Sequence, residues 1–294
     1  MKLNINKKHI ILVDASYNTF YRFFATLRWY QLAHKEKYKE IDDKSKYDWY
    51  KDKIFREKYE KMYIESIEKF LGKDILENCM MIFCQDAKQS TLWRHKLVGS
   101  SEFPEQYKGE RPDLDAKHNF RNLFDFTYNK LLSKLKKEKN YPIYKLKFGN
   151  TEADDIIAVI TLYLKKKLPG QKIIIVSGDD DFTQLGRDNV SILNYRKKKL
   201  ITFEDGECED KLRLKIIMGD KSDNIPGIFP KSRKEVSLKT RKAVKESMIE
   251  MVKFLDENPE IKKKFELNEK LIDFRKIPKK IQNPIIKEFK KLKL

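Results

Sequence analysis

Three short apolar segments of the chain each end in acidic residues. The segments are HIILV at residues 9–13, MMIFC at 80–84 and IIIV at 173–176, and the acids that follow them are Asp14, Asp86 and the triplet Asp179–Asp181. Apolar runs of this length are typical of strands buried on both faces of a parallel sheet. Such strands end at one edge, where open α/β sheets bind ligands, so we expect these carboxylates to lie together. A solvated turn in which Asp180 and Asp181 cap a helix would explain the third segment alone, but the repetition favours a shared site.

Two further acidic groups stand near predicted helix ends. They are Glu152, Asp154 and Asp155 in TEADD, and Asp220 and Asp223 in GDKSDNIPGI. Thr151 is the expected N-cap of a helix that reaches about residue 164, and Glu152 and Asp155, three residues apart, share a face of it. Acids in a first helical turn also stabilise the helix macrodipole without any metal, so this group alone permits a purely structural role.

A concentration of carboxylates of this kind suits divalent cations. Mg²⁺ prefers oxygen ligands and is usually held by a few carboxylates together with substrate phosphates. Two such ions about 4 Å apart can activate water and stabilise the leaving oxygen of a phosphodiester. The sequence offers no Ser-His-Asp or Cys-His order for a covalent nucleophile and no GxxxxGK[ST] loop of an ATPase. Hydrolysis of a nucleic-acid backbone is the reaction that these observations favour.

The bulk composition indicates a polyanionic partner. The chain has 294 residues with 64 Lys and Arg against 45 Asp and Glu, a formal net charge of +19, which favours nucleic acid over a membrane surface. Cys79, Cys84 and Cys208 match no zinc spacing, and their odd number argues against a disulfide framework. No apolar run approaches the ~18 residues of a membrane span, and residues 10–13 are too few for a signal peptide. We therefore expect a soluble monomer in a reducing, cytoplasmic compartment.

The elements that would position these acids follow an α/β pattern. Apolar spacing predicts helices at 16–32, 54–71 and 120–135, and strands at 143–148, 190–193 and 200–203. Residues 34–53 are charged and lack periodicity, which is typical of a surface loop or insertion. Beyond Pro230 the sequence consists largely of lysine and helix formers. We predict an α/β nuclease core at 1–228 and a helical C-terminal region at 229–294.

Cations and aromatic residues alternate in the segment that follows Asp86. Residues 90–97 predict a short helix that carries Trp93, Arg94 and Lys96, and QYKGERP adds Lys108 and Arg111. This combination binds nucleic-acid backbones through charge and stacking. A solvated basic loop is the alternative, but the position of the segment directly after Asp86 favours a functional role.

Six motifs, in order along the chain, resemble those of the flap endonuclease and 5′ to 3′ exonuclease family. They are VDAS, FCQDAKQSTLWR, YKGERP, EADD, SGDDDFTQL and GDKSDNIPGI, and they cover residues 9 to about 228. DFTQL and LIDFRKIPKKI are most similar to the branch of T-even bacteriophage ribonucleases H. The resemblance implies a PIN-like nuclease fold with a mainly parallel central sheet, a helical arch at about 88–125 and a helical C-terminal region.

The same resemblance implies a chemistry and a substrate. Two Mg²⁺ ions are expected, for which Mn²⁺ can substitute, and the substrate is duplex DNA or an RNA–DNA hybrid with a 5′ single-stranded end or flap. The activities implied are 5′ to 3′ exonuclease, flap endonuclease and ribonuclease H-type primer removal during replication. A single-stranded-DNA-binding protein or a sliding clamp is the protein partner that such a role suggests.

We assign the candidate residues to distinct roles. The tightly held ion is assigned to Asp14, Asp86, Glu152, Asp154 and Asp179, with Asp155 reaching it through water, and the weaker ion to Asp181, Asp220 and Asp223. Arg94 and Lys108, placed on the arch above the acids, are expected to neutralise charge at the scissile phosphate, and they join Asp155 and Asp179 as catalytic candidates. The nucleic-acid contacts are assigned to Arg94, Lys96, Lys108, Arg111, Lys231, Arg233 and Lys234.

One stretch departs from the family pattern. After NIPGI the family commonly continues with a glycine-rich hairpin of the form PGIGPKTA, whereas this chain continues with FPKSRKEVSLKTRKAV. The hairpin geometry and its potassium site therefore lack their usual signature. Two other functions stay open: a PIN-type endoribonuclease acting on single-stranded RNA, and a catalytically silent DNA-binding scaffold, against which the clustered, repelling carboxylates argue.

Overall fold

A mixed sheet forms the centre of the computed structural model, which describes residues 7–99, 106–110, 119–195, 198–203, 207–230 and 236–292. Its strands are β1 (His9–Asp14), β2 (Cys79–Gln85), β3 (Ile143–Lys147), β4 (Lys172–Val176), β5 (Val190–Asn194) and β6 (Lys199–Ile201). They lie in the order β3-β2-β1-β4-β5-β6, and only β6 runs antiparallel to its neighbour. The strand order reverses between β1 and β4, which is the switch point where open α/β sheets bind ligands.

Alternating side chains of the central strands supply two apolar cores. In β1, Ile10 and Leu12 belong to one core, while Ile11 and Val13 belong to the other. Every residue of β1 and β2 is buried, as the continuous apolar runs predict for strands covered on both faces. The parallel register aligns Asp14 with Cys84 and Val13 with Val176, so the three acid-bearing loops leave the sheet at the same edge.

Helices cover both faces of the sheet. They are α1 (Ala15–Ala33), α2 (Lys35–Lys39), α3 (Lys53–Glu77), α4 (Arg121–Phe126), α5 (Leu132–Glu138), α6 (Ala153–Lys167), α7 (Glu207–Met218), α8 (Leu238–Glu246), α9 (Met248–Glu257), α10 (Pro259–Ile272) and α11 (Lys279–Phe289). A π-helical stretch, Thr127–Leu131, joins α4 to α5. Helices α6 and α11 pack in the first core, and α1, α3, α4 and α5 contribute to the second.

The charged segment at 34–53 differs from the expected surface loop. It contains α2, and Trp49 within it is only 2% exposed. The hydroxyls of Tyr30 and Tyr47 both donate to Asp52, at 2.8 and 2.9 Å, and Asp52 is the N-cap of α3. The aromatic residues of this stretch therefore extend the second core. The high charge content of the stretch, taken alone, indicates a surface loop.

The C-terminal helices do not all stand apart from the sheet. Ile281, Ile285 and Phe289 of α11 are buried in the first core, whereas α8 and α9 pack in a cluster with Ile217 and Ile228. No helix in the described residues combines the length and apolar character that a membrane span requires.

Candidate active site

Asp14 occupies the end of β1 at the switch point. Its carboxylate accepts the backbone N–H of Tyr17 at 2.9 Å as the N-cap of α1, and Ser177, which follows β4, donates to it at 3.2 Å. A β-carbon on Gly178 would lie 2.6 Å from the Tyr17 ring, so the glycine lets the loop after β4 approach α1 closely. These contacts hold the ends of β1 and β4 together.

Asp86 joins the loop after β2 to the start of α6. Its Oδ1 accepts the backbone N–H of Ala153 at 2.8 Å. The N-cap of α6 is Glu152 rather than the expected Thr151, because Glu152 and Asp155 form a reciprocal capping box. In that box the Asp155 carboxylate accepts the N–H of Glu152 at 3.0 Å. The acids of TEADD therefore build the helix end as well as the site.

The acids from these loops converge on one cleft of about 320 Å³. Its lining includes Asp14, Asp86, Glu152, Asp154 and Asp179, together with Lys108, Tyr17 and Phe20. The five acids are those assigned to the tighter ion. Within the described ranges, no three metal-ligating side chains already stand as a ligand cluster. The carboxylates line the cleft as neighbours without meeting at a point, as mutual repulsion favours.

The electrostatics of the cleft favour a cation. Burial, with repulsion from Asp86 and Asp179, raises the pKa of Asp14 to about 7. Burial and the charges of Asp179 and Asp14 raise the pKa of Asp154 well above its usual value. A divalent cation would relieve this repulsion, and carboxylate oxygens are the hard donors that Mg²⁺ takes. The residues present therefore fit a divalent metal ion.

Arg94 is buried against Glu152 and Asp155 and does not line the cleft, which differs from its expected place on an arch above the acids. The residue is 3% exposed, and its guanidinium pairs with Glu152 at 2.9 Å and Asp155 at 2.8 Å. Its Nε donates to the carbonyl of Leu271 at 2.9 Å. The segment that carries Arg94 forms 3₁₀ turns, Gln89–Thr91 and Trp93–Leu97, instead of one helix.

Asp155 likewise lies behind the cleft instead of lining it. Besides Arg94, its carboxylate accepts the indole N–H of Trp93 at 2.9 Å. Burial raises the pKa of Asp155, and Arg94 opposes that rise. One Asp155 oxygen accepts from both Trp93 and the Glu152 N–H, and the other lies 2.8 Å from the Arg94 guanidinium. Asp155 is therefore placed to orient Arg94 and Glu152, and the route through water to a metal ion stays a prediction.

Lys108 does lie in the cleft, beside Glu152. Its ammonium donates to the Glu152 carboxylate and lies 3.7 Å from Asp223. Its backbone N–H donates to the Asp223 carbonyl at 2.8 Å, and the Tyr107 hydroxyl stands 2.9 Å from Glu152 and 3.1 Å from Asp223. Although burial acts to raise the pKa of Glu152, the charges of Lys108 and Arg94 and the Tyr107 hydroxyl outweigh it and lower that pKa.

The three acids assigned to the second ion lie at two separate positions, Asp181 and Asp220 at one and Asp223 at the other. Asp181 and Asp220 are bridged by Lys215, which donates to Asp181 and lies 2.7 Å from Asp220, whereas Asp223 faces Lys108. Burial and Asp179 raise the pKa of Asp181 to about 6, with Lys215 opposing. Sequence reasoning missed Lys215, because one lysine among many on a helix carries no distinguishing signal. It also missed the roles of Tyr107, Trp93 and Ser177 as hydrogen-bond partners of these acids.

The remaining predicted contacts are mostly beyond the described ranges. Lys96 is exposed on the turn Trp93–Leu97. Arg111, Lys231, Arg233 and Lys234 lie outside the described residues, as do residues 100–105 and 111–118 of the segment predicted to form an arch.

Comparison with known proteins assigns this arrangement to a family. A sequence model described as 5′-3′ exonuclease, N-terminal resolvase-like domain, matches residues 9–213. The chain belongs to the 5′-3′ exonuclease family. Membership makes it a nuclease, a phosphodiester hydrolase, and confirms the family that the motifs indicated.

Curated relatives carry related names. Ribonuclease H of Enterobacteria phage T4 is 29% identical over 226 residues, which cover 73% of this chain and 70% of that protein. A 5′-3′ exonuclease of Buchnera aphidicola subsp. Schizaphis graminum is 33% identical over 133 residues, or 38% of this chain and 45% of the relative. DNA polymerase I of Bacillus caldotenax is 29% identical over 237 residues, covering 76% of this chain and only 22% of the polymerase.

Solved structures confirm the fold. The bacteriophage T5 5′-exonuclease with bound zinc ions has a TM-score of 0.56 at 17% identity, covering 95% of this chain and 97% of that one. The bacteriophage T5 flap endonuclease in a pseudo-enzyme-product complex with DNA and metal ions has a TM-score of 0.55 at 15% identity, with the same coverage. The fold is therefore that of the PIN-like 5′-exonucleases, as the resemblance implied.

Proposed function

We propose that this nuclease is a divalent-metal-dependent, structure-specific 5′ nuclease acting on DNA and RNA–DNA duplexes during replication. The observation that carries the proposal is the cleft at the β1–β4 switch point, where carboxylates from several loops face the Lys108 ammonium. The names of the relatives, ribonuclease H and 5′-3′ exonuclease, support the same substrates.

The metal-binding residues are proposed from the lining of the cleft. Asp14, Asp86, Glu152, Asp154 and Asp179 would hold one Mg²⁺ ion, and Asp181 and Asp220, with Asp223 on the opposite side, would contribute to a second. Bound Mg²⁺ supplies an activated water and stabilisation of the leaving oxygen. Mn²⁺ is expected to substitute, because it accepts the same oxygen donors.

Other side chains of the cleft have complementary tasks. A phosphate that approaches several carboxylates needs a cation beside it, and Lys108 is placed to provide that charge. Tyr17 and Phe20 form an aromatic wall of the same cleft, on which an unpaired base can stack. Arg94 and Asp155 orient Glu152 from behind. The cleft thus suits a strand whose bases are unpaired at the cutting point.

The proposed substrate is therefore a duplex with a 5′ single-stranded end or flap. The excess positive charge of the chain would hold the duplex without sequence preference, and Lys231, Arg233 and Lys234 are proposed to contribute. A single-stranded-DNA-binding protein or a sliding clamp is the proposed protein partner, and the proposed active form is a monomer.

The test compares substrates and metal conditions. The protein is incubated with 5′-labelled flap, nicked and RNA-primed duplexes and with single-stranded RNA, in Mg²⁺ and then in EDTA. We expect cleavage of the duplexes that carry a 5′ end, and none in EDTA. Efficient cutting of single-stranded RNA without any duplex would instead support a PIN-type endoribonuclease. Absence of cleavage on every substrate would support the silent DNA-binding scaffold.

A further inference from the structure

One short segment near the C-terminus makes contacts beside three of the acid-bearing stretches, those of Glu152, of Asp179 to Asp181, and of Asp220 and Asp223. This segment, residues 268–274, comprises the end of α10 and the first residue of the 3₁₀ turn Phe274–Lys276. We call it the strap. Its last four residues, Leu271 to Phe274, begin LIDFRKIPKKI, a motif that the proposed chemistry leaves without a role.

The first contact reaches the Glu152 loop through Arg94. The strap offers the carbonyl of Leu271 to Arg94 Nε at 2.9 Å, while the opposite side of the guanidinium pairs with Glu152 and Asp155. The Leu271 carbonyl therefore fixes the position of the cation that holds both carboxylates.

The second contact reaches the loop after β4 through Gln184. Its amide nitrogen donates to the carbonyl of Ile272 at 3.1 Å, and its amide oxygen accepts the N–H of Phe274 at 2.9 Å. Gln184 belongs to the 3₁₀ turn Asp180–Leu185, of which Asp179 is the N-cap. The two-way amide bond thus ties the strap to the turn that carries Asp179 and Asp181.

The third contact reaches the Asp220 turn through Asn268. This side chain is 2% exposed, and its amide nitrogen donates to the carbonyls of Ile216 at 3.0 Å and Pro226 at 2.8 Å. Those two carbonyls lie on either side of the stretch that contains Asp220 and Asp223. One buried amide therefore closes the loop around both acids.

Apolar packing anchors the strap between these bonds. Leu271 and Ile272 are buried in a cluster with Leu92, Tyr107, Ile216 and Ile225, and the Phe274 ring lies 5.9 Å from that of Phe182. A segment held by both burial and satisfied hydrogen bonds has little freedom to shift.

We propose that the strap is a positioning element that sets the spacing of the acidic loops against their mutual repulsion. The inference rests on the proposed function, because its consequence is the affinity of the carboxylates for divalent metal. Groups that orient metal ligands typically contribute 10–100-fold in metal affinity or activity. Gln184 and Asn268 are accordingly positioning residues: neither lines the cleft, and each acts through the loop it holds.

The experiment uses near-isosteric variants that remove only the hydrogen bonds. Gln184→Met and Asn268→Leu are compared with Ile64→Val, which perturbs the second core on the other face of the sheet. Mn²⁺ binding to the DNA-free, full-length protein is measured by titration calorimetry, and single-turnover flap cleavage is measured as Mn²⁺ is raised. We expect both strap variants to bind Mn²⁺ ~10-fold more weakly than the wild type and to regain cleavage in excess Mn²⁺. Their affinity for the flap substrate in EDTA should be unchanged. Ile64→Val should bind Mn²⁺ as tightly as the wild type.

Each failure points to a different cause. If the wild-type protein binds no Mn²⁺, the proposed function is wrong. If the wild type binds and both strap variants bind within about twofold of it, the strap does not position the acids. Circular dichroism identifies a variant that does not fold, in which case the other strap variant decides. If Ile64→Val loses as much Mn²⁺ affinity as the strap variants, the weaker binding of the strap variants is explained by general destabilisation, and the proposal is overturned.

Discussion

Replacing Arg94 with alanine tests whether its guanidinium supports the site from behind rather than contacting substrate. The side chain is 4% exposed and lies 2.9 Å from Glu152 and 2.8 Å from Asp155. Removing one partner of a buried ion pair typically costs about 3–5 kcal/mol, because the other charge stays buried. Whole domains are stable by only about 5–15 kcal/mol, so Arg94→Ala should lower the free energy of unfolding by a large fraction of the total.

The decrease in the free energy of unfolding caused by Arg94→Ala should depend on pH in a defined direction. Burial already raises the pKa of Asp155, and Arg94 is the group that most opposes the rise. Without Arg94, the pKa of Asp155 in the folded protein moves further above its unfolded value of about 3.9. The protonated carboxyl then contributes stability at low pH, and this contribution is lost as the pH rises through the folded-state pKa. The deficit relative to wild type should therefore be larger at about pH 8 than at about pH 5.

Urea unfolding in EDTA measures both effects, and Lys108→Ala is the matched control. Lys108 contacts the same Glu152 carboxylate but lines the cleft, and Arg94 and Tyr107 still compensate Glu152 when it is removed. We expect Lys108→Ala to lose less stability than Arg94→Ala and to slow single-turnover cleavage by ~10²-fold or more. An Arg94→Ala protein that unfolds at the wild-type urea concentration yet cleaves that much more slowly would refute the reasoning, since Arg94 would then act on substrate.

Three more outcomes follow from the charges of the site and of the C-terminal region. Asp179→Asn should abolish cleavage, while flap affinity measured by fluorescence anisotropy stays equal or increases because a charge facing phosphate is lost; retained turnover would count against the assignment. In metal-free protein, the free energy of unfolding contributed by Asp14 and Asp181 should fall as pH rises from about 4 to about 7, since their folded pKa values, about 7 and about 6, exceed the unfolded one. Thermal melts should accordingly show more stabilisation by Mg²⁺ at about pH 8 than at about pH 5, and equal shifts would contradict this. Replacing Lys231, Arg233 and Lys234 with Glu should weaken duplex binding equally for all sequences. It should also reduce the slope of the salt dependence of binding by roughly one unit per lost phosphate contact. A loss of affinity for some sequences only would be the contrary result.

The sheet edge was predictable because strand and acid are adjacent in sequence. Asp14 follows an apolar run with the length and composition of a buried strand, and Asp86 and Asp179 repeat the arrangement on β2 and β4, the two neighbours of β1. The segment around Trp49 was not predictable in the same way. Its aromatic residues are separated by charges without helical or strand period, and only the packing against Tyr30 and Phe55 shows that they are core.

The back of the site depends on partners far apart in the chain. Arg94 meets Glu152 across 58 residues and Leu271 across 177, so its neighbours in sequence, a Trp and two basic residues, resemble an exposed nucleic-acid contact. The strap is hard to predict for a further reason: each of its bonds has a backbone carbonyl or N–H group on one side, and nearly every residue type supplies these groups. The spacing of acids after apolar runs predicts which of them share a cleft. The groups that hold these acids in place lie far away in the chain and have no recognisable sequence pattern.

Anomalous diffraction from crystals soaked in Mn²⁺ tests the central claim most directly, because it locates the ions among the carboxylates. We expect a strong peak in the cleft at the β1–β4 edge, contacted by Asp14, Asp86 and Asp154, and a weaker one toward Asp181 and Asp220. A crystal with no Mn²⁺ in this cleft, or with ions only at other sites, would contradict the account.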